Sequence, residues 1–151
     1  MAARPPDILP YLTVRDARAA LAFYAAAFGG ETVMLLAGGD AVRHARLRIG
    51  AGMVMLYEER SGAPAGNGAP ATLGGSPVAI RIELEDAAAV DAGFARAIAA
   101  GAEAVIEPQN RDWGRLAEIR DPEGHFWRLA ATAEAEPGAS EPGASGTAGT
   151  A

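Results

Sequence analysis

Chemistry in this chain has to come from a short list of side chains, because it contains no cysteine, only two histidines, and basic residues that are all arginine. His44 lies in His44-Ala-Arg-Leu-Arg48, where an alternation of two puts it on one face with Arg46 and Arg48. An imidazole titrates near neutrality, so His44 is a candidate general base, with a purely structural role as the alternative. His125 follows Asp121-Pro-Glu-Gly124 and is expected to close that turn with a hydrogen bond. Arg81 and Glu83 alternate with Ile80 and Ile82, while Glu118 and Arg128 stand on opposite sides of the same turn. A guanidinium can grip a carboxylate or phosphonate through two parallel hydrogen bonds and so orient an anionic ligand. It can equally form an internal pair, Arg81 or Arg128 with Glu83 or Glu118, that merely neutralises charge. Glu83 is the second candidate base. His44, Glu83 and Glu118 together have the residue types of a metal chelate, which would require three strands to converge.

The elements that must position these groups can be read outward from the turn. Pro122 fixes φ at its second position, and Asp121 and Gly124 suit the first and fourth positions of a type I turn. It joins strands at 115–120 and 125–131, and in the outgoing strand Trp127 and Leu129 alternate with Phe126, Arg128 and Ala130. One face is therefore apolar and the other carries Arg128. Upstream, residues 8–14 read as a strand that Pro10 confines to an edge or seam. Asp16 caps a helix with Leu21, Tyr24 and Phe28 on one face, and Gly29-Gly30 stops it. Strands at about 31–37, 42–49 and 52–59 complete a βαβββ unit.

Residues 60–77 form a Gly-, Pro- and Ala-rich linker, either a flexible bridge or a lid. The pattern then restarts with a strand at 78–84, a cap at Asp86, a helix carrying Val90, Phe94 and Ile98, a stop at Gly101, and strands near 103–107, 115–120 and 125–131. Asp16 and Asp86, Tyr24 and Phe94, and Phe28 and Ile98 are each 70 positions apart, so the second half repeats the first. The fold class is α+β, with two βαβββ modules at about 8–59 and 78–131 that pair to bury each other's incomplete sheet. Residues 132–151, with Glu-Pro-Gly-Ala-Ser at 136–140 repeated at 141–145, have no large apolar group and are expected to be a disordered tail.

Charge and hydropathy exclude several classes. The net charge is −6, and Glu134, Glu136 and Glu141 in the tail account for half of it, which leaves a nearly balanced body without the basic stripe of a nucleic-acid binder. No apolar run approaches the roughly 20 residues of a membrane span. The first residues lack the apolar centre of a secretory signal, so a cytoplasmic protein is expected. The exclusive use of arginine fits either a need for bidentate anion contacts or a general compositional bias shared with the abundant Ala and Gly.

A paired βαβββ repeat with Asp121-Pro-Glu-Gly124 between its last two strands resembles the vicinal oxygen chelate superfamily, which includes glyoxalase I, bleomycin-resistance proteins and extradiol dioxygenases. Ile8-Leu-Pro-Tyr-Leu-Thr-Val-Arg-Asp-Ala17, Ala22-Phe-Tyr24, His44-Ala-Arg-Leu-Arg-Ile-Gly50, Ala71-Thr-Leu-Gly-Gly-Ser-Pro77 and Asp121-Pro-Glu-Gly-His-Phe-Trp127 look most like its PhnB-like branch. The resemblance covers residues 8–131 and implies a half-open barrel with a central cleft. Metal-using members take one ligand from the first strand and one from the last strand of each module, positions that fall here on Leu9, Met55, Ala79 and Arg128. A register slip of two residues brings in Tyr11, Tyr57 or Arg81 instead. None of these suits Zn²⁺, Ni²⁺ or Fe²⁺, so no metal cofactor is expected, with one divalent ion on the His44, Glu83 and Glu118 set as the alternative.

With strand alternation carrying the assignment, the cleft receives Tyr11 and Thr13 after Leu9, Met53, Met55 and Tyr57, Ala79, Arg81 and Glu83, and Phe126 and Arg128. Glu118 joins them as the alternative partner of Arg81 or Arg128. Trp113, between the sixth and seventh strands, either closes the cleft or plugs the end of the sheet. Such a surface suits a flat or elongated anionic or aromatic small molecule. Two functions follow: a binding protein without chemistry, or a lyase-, isomerase- or dioxygenase-type enzyme using His44 or Glu83 as base. A homodimer is expected, because relatives commonly build each cleft from two modules and the Pro10 strand offers a seam.

Overall fold

The computed structural model describes residues 3–133. The first module comprises β1 (Tyr11–Val14), α1 (Ala17–Phe28), β2 (Glu31–Gly38), β3 (Ala41–Ile49) and β4 (Gly52–Glu58). After a single helical turn, α2 (Pro70–Leu73), the second module follows as β5 (Ala79–Glu83), α3 (Ala87–Ala99), β6 (Glu103–Arg111), β7 (Gly114–Arg120) and β8 (Phe126–Thr132). Each module forms its own four-stranded sheet, ordered β1-β4-β3-β2 and β5-β8-β7-β6, with the first strand of each parallel to the last. The sheets are not closed into a barrel, which agrees with the half-open α+β architecture expected from the repeat.

Both helices start and stop where the sequence requires. Asp16 accepts from the backbone N–H of Ala19 at 2.9 Å, and Asp86 does the same for Ala89 at 2.8 Å. Gly29 adopts a left-handed conformation at φ 66° and closes α1 through Ala25 and Tyr24 carbonyls. Tyr24 and Val90 are fully buried, but Ile98 is 37% exposed and Ala97 takes its expected place in the core. At about 100° per residue, Ile98 lies at the margin of the stripe set by Val90 and Phe94.

Two strand boundaries differ from expectation for visible reasons. β1 begins at Tyr11 rather than at residue 8, since Pro10 has no N–H to give the ladder, although its carbonyl still accepts from Met55 at 2.9 Å. β6 runs on through Pro108 to Arg111 because it is the outer strand of its sheet, where a missing N–H costs nothing, and its register shifts twice around that segment. The linker is also not featureless. Glu59 accepts from the Ala69 N–H and the Thr72 hydroxyl, both at 2.8 Å, and the Ala69 bond leads the causes that hold its carboxyl below the usual range. β8 includes Thr132, and the disorder expected for the tail concerns residues that otherwise fall almost wholly outside those described.

One core joins the modules. Leu12, Val14, Val54, Leu56 and Leu47 from the first sheet and Trp127, Leu129, Ala117 and Ile119 from the second all face the helices and are buried. α1 packs against α3, and the Trp127 ring lies 5.1 Å from Tyr24 and 4.9 Å from Phe28. The opposite face of each sheet is left for the cleft.

Candidate functional site

The Asp121-Pro-Glu-Gly turn is the joint that fixes one sheet against the other. Its Gly124 N–H closes on the Asp121 carbonyl at 2.9 Å, as the type I reading requires. The buried Asp121 carboxylate accepts from the Tyr24 hydroxyl at 2.6 Å, Trp127 Nε1 at 2.8 Å and the N–H groups of Glu123 and His125. Burial, then the Asp121 charge, push the Tyr24 hydroxyl well above its ordinary pKa. Glu123 accepts from the backbone N–H of Arg15 in the other module. His125 closes the turn through its backbone, its carbonyl accepting from the Asp121 N–H at 2.9 Å, but its ring reaches elsewhere. Its Nε2 donates instead to the Thr13 carbonyl at 2.8 Å, which puts the ring proton on Nε2 and leaves this histidine a structural brace between modules.

Strand register brings the cleft-facing residues into rows. In the first sheet Tyr11 stands beside Met55 and Thr13 beside Tyr57. The Tyr11 hydroxyl and His44 Nδ1 are hydrogen-bonded at 2.9 Å, and the Tyr11 ring meets Tyr57 edge-on with centroids 5.0 Å apart. Tyr57 in turn donates to Asn67 at 2.6 Å, so the linker reaches back onto this aromatic wall. No local signal in the sequence marks the Tyr11–His44 contact, since 33 positions separate the two residues.

In the second sheet Ala79 stands beside Phe126, Arg81 beside Arg128, and Glu118 opposite Arg128. Arg81 Nε donates to Glu83 at 2.8 Å, its NH2 donates to the Thr132 hydroxyl at 3.1 Å, and its guanidinium lies 5.0 Å from the Trp113 ring centroid. Trp113 thus caps an arginine rather than simply plugging the sheet. Glu83 also accepts from the Thr132 N–H and hydroxyl. The Arg81 hydrogen bond, followed by that of Thr132, lowers the Glu83 pKa to about 2, which makes it a weak base at neutral pH. Arg128 Nε donates to Glu118, whose side chain is only 9% exposed, so both arginines have the internal partners that were the alternative to ligand contact.

A cavity of about 600 Å³ opens where β1 meets β5, lined by Tyr11, Thr13, Ala79, Arg81 and Phe126 and roofed by linker residues between Gly66 and Val78. Met55, Tyr57, Glu118, Arg128 and Trp113 lie outside its lining. A second cavity of about 480 Å³ lies on the helix side of the same seam, among Phe28, Met53, Ile82, Arg96 and Trp127.

Leu9, Met55, Ala79 and Arg128 do not fit a divalent cation, because none offers a carboxylate or imidazole donor and Arg128 would repel the charge. Among the described residues no three His, Cys, Asp or Glu side chains form a metal-binding group, and His44, Glu83 and Glu118 are separately engaged by Tyr11, Arg81 and Arg128. No described helix is long and apolar enough to cross a membrane.

Comparison with known proteins agrees with this geometry. An uncharacterized protein of Mycobacterium tuberculosis strain H37Rv is 39% identical over 127 residues, covering 82% of this chain and 73% of that protein. The crystal structure of TioX from Micromonospora sp. ML1 superimposes with a TM-score of 0.63 at 27% identity, covering 86% of this chain and 98% of that one. The fosfomycin resistance protein FosX from Mesorhizobium loti shares the fold, with a TM-score of 0.60 at 17% identity over 88% of this chain and 96% of its own. The model of the Glyoxalase/Bleomycin resistance protein/Dioxygenase superfamily matches residues 7–129, and the chain belongs to that superfamily.

Proposed function

We propose that the protein binds a small aromatic or anionic organic molecule in the cleft between its modules, without a resident metal ion. The observation that carries this reading is the cavity of about 600 Å³ shared by Tyr11, Arg81 and Phe126, a volume suited to a small organic ligand. Outside the lining, Tyr57 and Met55 continue the surface from Tyr11, so an aromatic and adaptable thioether wall adjoins the cavity. The ligand positions used by metal-dependent relatives carry Leu9, Met55, Ala79 and Arg128, which supports binding over metal-assisted chemistry. The quoted motifs favour the PhnB-like branch, and with it a homodimer whose second copy covers the exposed sheet faces. A second reading, an enzyme that moves a proton, rests on the Tyr11–His44 hydrogen bond, because a phenol beside an imidazole is a competent acid–base pair.

A thermal-shift screen of aromatic acids, phosphonates and antibiotics tests the binding reading, since a ligand at a hundred times its Kd raises stability by about 2.7 kcal/mol. No shift with any class would remove it. Elemental analysis of the purified protein tests the absence of a resident metal: about one transition metal per chain, lost to chelator with a fall in melting temperature, would refute it.

A further inference from the structure

The cleft carries several arginines, and their partners sort them. Arg48 pairs with Glu31 at 3.7 Å, Arg81 with Glu83 at 2.8 Å, Arg120 with Glu103, and Arg128 with Glu118. Each pair lies on the cleft face of its own sheet, as the register of β2 with β3, β5 with β8 and β6 with β7 requires. Among the described residues Arg46 has no ion pair and no side-chain hydrogen bond, and it is exposed. Arg111 also lacks a carboxylate, but it stands at the tip of the β6–β7 hairpin on an edge strand.

Arg46 stands inside its sheet. Tyr11, Met55, Arg46 and Met34 are successive partners across β1, β4, β3 and β2, so Arg46 is flanked by two methionines that offer no acceptor for its charge. His44 lies two residues along the same strand face, and Tyr11 reaches over β4 to bond it. An uncompensated guanidinium beside an aromatic and thioether surface is the arrangement that takes the acidic end of a flat organic ion, while the ring packs on the neighbours.

Resting on the binding function proposed above, we infer that Arg46, rather than Arg81 or Arg128, is the residue that selects an anionic ligand. The aromatic body lies on Tyr11, which lines the cavity, and on Tyr57 beside it, and the carboxylate or sulfonate extends past the cavity's lining along the Tyr11–Met55 row to Arg46. Arg81 and Arg128 would have to give up Glu83 and Glu118 to do the same work, and that exchange cancels most of the gain.

Two fluorescent probes with one ring system test this: the anionic anilinonaphthalene sulfonate and its neutral relative phenylnaphthylamine, titrated into wild type, Arg46→Met and the control Arg18→Met on the exposed face of α1. Circular dichroism melts confirm that each variant is folded. The inference expects Arg46→Met to weaken the sulfonate by roughly tenfold to a hundredfold, the range for one charged hydrogen bond, with the neutral dye unaffected and Arg18→Met like wild type. If both dyes bind and Arg46→Met changes neither, or weakens both equally, the anion assignment is overturned while the cleft still binds. If wild type binds neither dye, the binding function fails and the assignment falls with it.

Discussion

Arg81 and Arg128 are immediate neighbours in the parallel β5–β8 ladder, yet their side chains part to different carboxylates, Glu83 along β5 and Glu118 across on β7. Two guanidiniums side by side would repel, and the carboxylates placed on the same face remove that cost. The sheet therefore carries its own counter-ions on the face that holds both arginines.

The Arg128 pair is asymmetric, and that sets its response to mutation. Glu118 is only 9% exposed at its side chain while Arg128 is 46% exposed. Arg128→Met strands a nearly buried carboxylate, which costs about 1–3 kcal/mol, below the value for a fully buried pair because water still reaches the arginine side. Glu118→Gln should cost less, since the amide keeps an acceptor and carries no charge. Urea unfolding of both variants measures the difference, and equal small losses would mean the pair is solvated.

Glu83 contributes to the response to acid. Its pKa is lowered from 4.5 to about 2, chiefly by the Arg81 hydrogen bond and then by Thr132. A carboxylate whose folded pKa is depressed stabilises above its unfolded value and loses that contribution as pH falls through the folded one. The stability lost between about pH 4.5 and pH 2 should therefore shrink in Glu83→Gln. Melting temperatures across that window check it, with an unchanged slope as the contrary result.

Tyr24 controls behaviour in alkali, with the opposite sign. Its folded pKa is raised well above 10.0, so the folded state resists ionisation that the unfolded chain accepts. Stability from this group is complete below pH 10 and declines as pH rises beyond it, and Tyr24→Phe should flatten that decline. At neutral pH the same change costs about 1–2 kcal/mol for one hydrogen bond to Asp121. Asp121→Ala is far worse, because Tyr24, Trp127 and two backbone N–H groups lose their acceptor together, and a loss beyond about 4 kcal/mol is expected.

Much of the fold is legible in the sequence because it rests on local rules. Asp16 and Asp86 mark the starts of both helices, the glycines after them mark the stops, and alternation places Tyr11, Met55, Arg81 and Arg128 on one side of their strands. The repeat offset of 70 makes the two modules visible from the residues alone. What alternation cannot supply is partner choice. Arg128 is equally compatible with a ligand or with Glu118 on that basis, and only the register of β7 with β8 puts Glu118 opposite it. Asp121 and His125 read as turn residues, whereas their side chains reach Tyr24 and Thr13, 97 and 112 positions away. Thr132 reads as the first residue of a tail, and its hydroxyl is one of the groups that sets the Glu83 pKa.

The last prediction separates steric docking from backbone strain at the joint between linker and turn. Gly124 has φ +94°, and a Cβ there would meet Pro70 Cβ at 3.0 Å and the Ala71 N at 3.1 Å. Gly101 has φ +111° but no atom within 4 Å of such a Cβ. Alanine at either position pays for the left-handed backbone, roughly 1–2 kcal/mol, while alanine at Gly124 must in addition push α2 off the turn. That displacement breaks the Ala71 N–H to Glu123 carbonyl bond of 3.3 Å and loosens the roof over the cleft cavity. Gly124→Ala should therefore melt below Gly101→Ala by about 2–4 °C for each further kcal/mol lost. It should also be cut faster by protease in the segment between Gly66 and Gly75, whereas Gly101→Ala keeps the wild-type cleavage rate there. Equal melting temperatures and equal cleavage would mean that α2 does not bear on the turn, and that the linker covers the cleft without being anchored by it.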